Sequence, residues 1–115
     1  MKKIIFLLAM AVASSAQATD FLSAFEDVPR MSGLVEEETM SFDTDNVRIA
    51  EQYVSSDTAT AAELFGFYSG VLGELGWTAG TTTPNSNTYT REGESLNISV
   101  MSESPLVAVF SLRPL

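Results

Sequence analysis

Carboxylates are the only side chains in this sequence with the numbers and spacing to do chemistry. Beyond residue 18 there is no histidine, cysteine or lysine. That removes the commonest general base, the thiol nucleophile, the Schiff-base amine and the usual zinc and haem ligands. Glu36, Glu37 and Glu38 form the densest acidic run, and Asp43 and Asp45 follow it. Paired carboxylates cleave glycosides when one is held protonated in an apolar pocket, and Glu36, Glu38 and Asp43 are the candidates for such a pair. The reaction needs a cleft that grips a sugar, and a chain this short leaves little room for one. The expectation is no enzyme and no catalytic residue. Calcium is the better use of these oxygens. Asp43-Thr44-Asp45-Asn46 presents them at alternating positions, as a calcium loop begins. The loop then lacks its glycine at position six and has Val54 instead of glutamate at position twelve. The tetrad is expected to be a turn, with no metal and no other cofactor. Met31, Met40 and Met101 are too far apart to hold copper(I) and are expected to pack in the core.

Two groups of residues suggest binding. Gly66, Gly70 and Gly73 recur at spacings of four and three within a helical pattern, so they share one face. Each costs roughly 1 kcal/mol against alanine in a helix. A smooth glycine face lets another backbone approach closely, and Phe67 at its edge would be an apolar anchor. Gly66, Phe67, Gly70 and Gly73 are thus the candidate partner face, for an unidentified protein or a second copy. The other group is Tyr68, Trp77 and Phe110, which would line an apolar pocket between helix and sheet if the chain carried a small ligand.

The elements that position these residues are legible. Ala61, Leu64, Phe65, Tyr68, Leu72 and Leu75 recur at helical spacing over roughly 58–75, with one apolar stripe. Thr60 and Glu63 have the spacing of a capping box, with Asp57 or Thr58 as other caps. Gly76 followed by Trp77 predicts a Schellman ending, with Trp77 returning to Leu72. Before the helix, Glu36 to Asp43 and a strand from Val47 read as a β-hairpin. One face carries Met40 and Phe42 and the other Thr39 and Ser41, and Val47, Ile49 and Tyr53 alternate with Arg48, Ala50 and Gln52. After it, 77–83, 88–91, 96–100 and 106–112 read as a meander. The segment 106–112 is apolar on both faces and so central or covered. Residues 19–35 are expected to dock on the core as a short helix capped by Asp20, with Phe21, Leu22 and Phe25 inward, Pro29 stopping it and Gly33 turning. The fold class is α+β: a mainly antiparallel sheet with one principal helix on one face, in the order ββαβββ(β). The domain plan is 1–18 signal peptide, 19–35 docked segment and 36–115 a single α+β domain.

Export is expected from the first eighteen residues. Lys2 and Lys3 precede a short apolar run from Ile4 to Ala13, and Ala16-Gln17-Ala18 supplies the small pair for cleavage before Thr19. The run is about half of what a membrane anchor needs, so no integral span is expected after processing, and the destination is periplasmic or secreted. The full chain has 15 acidic against 6 basic residues and a net charge of −9. Removing both lysines makes it more acidic still, which opposes nucleic acids and anionic lipid. With no cysteine, stability must come from packing.

The string Phe67-Tyr68, Leu72, Leu75-Gly76-Trp77, Arg91, Glu94, Leu96, Ile98, Phe110, Leu112, Pro114 resembles a group of small exported proteobacterial proteins. Asp27-Val28-Pro29, Gly33-Leu34, Phe42-Asp43 and Arg48-Ile49 are similar to their N-terminal half. The resemblance implies location and fold and carries no chemistry. The function expected is a non-enzymatic binding or interaction module; the alternatives are the small-ligand carrier and the carboxylate enzyme.

Overall fold

A computed structural model describes residues 21–44 and 47–115. The signal-peptide segment, Asp20 and the Asp45-Asn46 pair lie outside the described residues. Two short strands, β1 (Phe21–Leu22) and β2 (Phe25–Pro29), form an antiparallel ribbon. Then come β3 (Val35–Thr44), β4 (Val47–Ser56), helix α1 (Ala61–Glu74), β5 (Thr78–Thr83), β6 (Ser86–Arg91), β7 (Glu94–Glu103) and β8 (Leu106–Pro114). The main sheet is six-stranded and antiparallel, in the order β3-β4-β8-β7-β6-β5. This is the α+β architecture that the spacing predicts.

β8 sits between β4 and β7, as its two apolar faces require, and its pairing with β4 decides which face of the hairpin is inward. Ala50, Gln52 and Val54 lie opposite Leu112, Phe110 and Ala108, and all six are buried. Since side chains alternate across a strand, Ile49 and Glu51 point to the other face, and their partners Phe42 and Met40 go with them. Met40 is therefore exposed, and so is Met101; of the three methionines expected in the core only Met31 is there. A hairpin's own alternation separates its two faces but does not say which one a third strand will bury.

The two buried polar residues, Gln52 and Ser56, are both hydrogen-bonded, Ser56 Oγ accepting from the Thr58 and Ala59 amides at 3.1 and 2.9 Å. Gln52 accepts from Thr39 Oγ1 at 2.8 Å and donates from Nε2 to the carbonyls of Glu38 and Tyr53 at 3.3 and 3.1 Å. The Glu38 carbonyl belongs to an irregularity between Glu36 and Thr39 where β3 slips against β4, so Gln52 anchors that bulge.

The helix ends are as read. Thr60 Oγ1 accepts from the Glu63 amide at 3.1 Å, and Glu63 Oε1 accepts from the Thr60 amide at 3.0 Å, closing the capping box. At the other end Gly76 has φ +94°. The Trp77 amide donates to Leu72 O at 2.9 Å and the Gly76 amide to Gly73 O at 3.2 Å, the two bonds of a Schellman motif. Leu64, Tyr68 and Leu72 are fully buried, but Leu75 is exposed because the helix has already ended beneath it.

Residues 21–29 correct one expectation: they form the ribbon, not a helix. A helix of about eight residues is marginal in water, whereas the ribbon turns Leu22, Phe25 and Val28 all inward. Leu22, Phe25 and Val28 join the core cluster while Phe21, expected inward, is exposed, and Gly33 turns with φ +94°.

Candidate functional site

The glycine face is open. A methyl group built on Gly66, Gly70 or Gly73 would meet nothing within 4 Å, and Phe67 beside them is half-buried, edge-on to Tyr68 at 4.8 Å. Gly66→Ala, Gly70→Ala and Gly73→Ala should each stabilise the protein by several tenths to about 1 kcal/mol. Thermal midpoints check this, and a lowered midpoint for any of them would reveal a neighbour at that position.

Tyr68, Trp77 and Phe110 are all buried. Tyr68 and Phe110 pack edge-to-face at 4.9 Å, so their rings fill the space between helix and sheet. The carboxylates are dispersed. Glu36 accepts from both the amide and the hydroxyl of Ser23, at 2.9 and 2.6 Å. Glu37 accepts from Ser55 Oγ at 2.7 Å, and Glu38 is exposed. The side chains of Asp43 and Asp45, the calcium candidates, lie outside the described residues.

The structure also assembles a charged cluster from four elements. Arg48 on β4 donates Nε and Nη2 to the two oxygens of Glu94 at 3.0 and 2.8 Å, a bidentate fork. Its Nη2 lies 3.5 Å from Asp27 Oδ2 on β2. Arg91 on β6 donates to the same Asp27 oxygen, and its other arm donates to Leu75 O at 3.2 Å, one of the carbonyls a helix end leaves unpaired. The Arg91 guanidinium lies 4.4 Å from the Trp77 ring centroid, a cation–π distance. Ribbon, sheet and helix end are thus joined through two arginines. Sequence spacing does not bring these charged residues together, because Asp27 and Arg91 are 64 residues apart. The available signal was scarcity: two of the four arginines after residue 18 converge on one carboxylate.

Burial by itself would raise the Asp27 pKa, but the Arg91 hydrogen bond and the Arg48 charge outweigh it and hold the carboxyl below its ordinary value. Such a carboxylate is a poor proton donor or acceptor near neutrality. Its chemistry is adhesion. Because the unfolded chain binds the proton more readily, this stabilisation is present above the ordinary aspartate pKa and is lost as pH falls through the lowered one. Asp27→Asn should therefore have the shallower loss of stability below about pH 4. Urea midpoints of parent and variant between neutral and acidic pH measure it. Parallel pH profiles would mean that Asp27 does not contribute.

A further feature is apolar and exposed. Met40, Phe42 and Ile49 are 50%, 60% and 42% accessible, on the sheet face away from α1. They border a shallow hollow of about 120 Å³ with Glu51 and Arg113. A second cleft, of about 300 Å³ and lined by Ser23, Thr39, Ser41 and Arg48, separates the ribbon from the sheet. Neither is lined by Tyr68, Trp77 or Phe110. No described helix is long and apolar enough to cross a membrane. Compared with known protein families, with characterised proteins and with solved structures, the chain matches none of them.

Proposed function

We propose that this chain is a small exported, non-enzymatic interaction module that binds a protein partner in the periplasm or outside the cell. Export rests on the pattern of residues 1–18. The observation that carries the binding reading is the group Met40, Phe42 and Ile49, three large apolar side chains left half-exposed side by side. Exposed apolar side chains grouped together and rimmed by polar residues are the kind of surface that partners cover. Covering it would contribute about 2–4 kcal/mol at the usual value for apolar side chains already half-buried. The glycine face of α1 offers close approach but no side-chain area, so it serves as a second, weaker contact. The aromatic rings between helix and sheet are spent on the core, which leaves the carrier reading without a cavity to support it.

Photocrosslinking in intact cells tests the proposal. A photoreactive residue at position 42 should give a discrete adduct, and one at Thr82 on the opposite sheet edge should not. Ile49→Ser should reduce the adduct. Absence of any adduct from position 42, with the protein folded and exported, would end this reading.

A further inference from the structure

The geometry points to the class of partner: an extended segment of another protein, apolar at alternate residues and flanked by lysine or arginine, that adds as a strand to the free edge of β3. The inference rests on the interaction reading above and deepens it.

β3 is ten residues long and ends the sheet; among the described residues it has a strand neighbour only on the β4 side. A strand edge carries a row of backbone donors and acceptors ready to pair. The patch lies at that edge, since Met40 and Phe42 belong to β3 itself. A strand laid beside β3 would set its own side chains next to theirs at the same two-residue period. The opposite edge does not offer this. β5 reads Thr78-Ala79-Gly80-Thr81-Thr82-Thr83, with no large apolar side chain, and is exposed throughout.

Charge selects among occupants. Along β3 the apolar pair is preceded by Glu37 and Glu38, both exposed, and Glu51 faces Met40 across the hairpin. Arg113 is the one cation at the hollow, and Arg48 and Arg91 are engaged by Asp27 and Glu94. A second processed copy would bring a net charge more negative than the full chain's −9 against another of the same, which opposes association. An anionic lipid surface is opposed in the same way. A cationic strand is attracted, with its basic residues beside Glu37 and Glu38 and its apolar pair beside Met40 and Phe42. The bulge and the glutamates could also act only as guards against strand pairing. A guarded edge, however, has no use for an exposed Phe42 and Met40, and it would refuse cationic and anionic strands alike.

The experiment uses synthetic peptides of about ten residues, built as alternating strands. One carries two valines spaced two apart with arginines on the flank; a second has glutamate for each arginine; a third repeats the first with alternate amides N-methylated. Calorimetry against the processed protein should show saturable binding of the first only. That binding should fall about tenfold or more as salt rises from low to physiological and above. It should fall by a similar factor in the Glu37→Gln, Glu38→Gln, Glu51→Gln variant and, independently, in Phe42→Ser, whose substitution is on the surface and leaves the fold intact. Equal binding of the glutamate peptide overturns the cationic assignment, and equal binding of the N-methylated peptide overturns strand addition. Sedimentation as a dimer that Phe42→Ser dissociates would assign the face to a second copy. Phe42-dependent binding to phosphatidylcholine vesicles would assign it to a membrane. If no peptide binds while position 42 still crosslinks in cells, the interaction reading survives and this inference fails.

Discussion

Truncating Trp77 to alanine should lower stability by about 3–5 kcal/mol, the usual range for a buried tryptophan. Only 4% of the residue is accessible, and three local structures meet on it. Its amide closes the Schellman turn on Leu72, its ring lies under the Arg91 guanidinium, and its side chain belongs to the core cluster beneath α1. The alanine variant keeps the backbone bond but loses the packing and the cation–π contact, and it leaves Arg91 to hold Asp27 and the Leu75 carbonyl without support from below. Trp77→Phe should cost clearly less. The indole Nε1 makes no hydrogen bond within the described structure, so phenylalanine forfeits area alone. A protein of about a hundred residues has roughly 5–15 kcal/mol of stability in all, so the alanine variant should show a large drop in urea midpoint or fail to fold at room temperature. A midpoint within about 1 kcal/mol of the parent would mean that the ring contributes little, and the helix-end account would have to be abandoned.

The contrast between what was and was not legible follows the range of the interactions. The capping box of Thr60 and Glu63 and the turn at Gly76-Trp77 are written within a few residues, because helix ends are satisfied by their immediate neighbours. The outward position of Gly66, Gly70 and Gly73 follows from the same local period. The central place of β8 was legible because a strand apolar on both faces is best shielded between two neighbouring strands. By contrast, the inward face of the β3–β4 hairpin was not legible. Met40, Phe42, Ile49 and Tyr53 are larger and more apolar than Thr39, Ser41, Ala50 and Gln52, yet the smaller set shares the sheet face of Phe110. Pairing with β8 imposes that choice from more than fifty residues away, and Phe110 and Tyr68 fill the volume that the small residues leave. The candidate contact surface was therefore hidden for the same reason as the register. The ribbon was misread because Phe21, Leu22 and Phe25 have helical spacing after Asp20 as a cap; what overrides it is the inward docking of Val28 and the fixing of Pro29 and Met31 by a single distant hydroxyl.

That hydroxyl makes the second large prediction. Tyr68→Phe should destabilise the protein by about 2–4 kcal/mol although it removes one atom. Tyr68 Oη donates to Pro29 O at 2.7 Å and accepts from the Met31 amide at 3.0 Å, and both bonds are buried. Phenylalanine preserves the ring and its edge-to-face contacts with Phe67 and Phe110, so packing is not at issue. What changes is that a carbonyl and an amide are left buried without partners, at about 1–3 kcal/mol each. Pro29 ends β2 and Met31 lies in the segment that joins the ribbon to β3, so the damage should be uneven. Amide exchange at Met31 and along β2 should accelerate first, by local opening, while the amides of β8 report the smaller global loss. The same burial raises the phenol pKa above its ordinary value. The neutral hydroxyl therefore supports folding up to the pH at which a free tyrosine ionises, about 10, and the support is lost as pH rises further. The phenylalanine variant, with nothing there to ionise, should lose less stability above that pH than the parent does. A loss below about 0.5 kcal/mol at neutral pH, with unchanged exchange at Met31, would mean that the backbone finds other partners and that the ribbon is held by Leu22, Phe25 and Val28 alone.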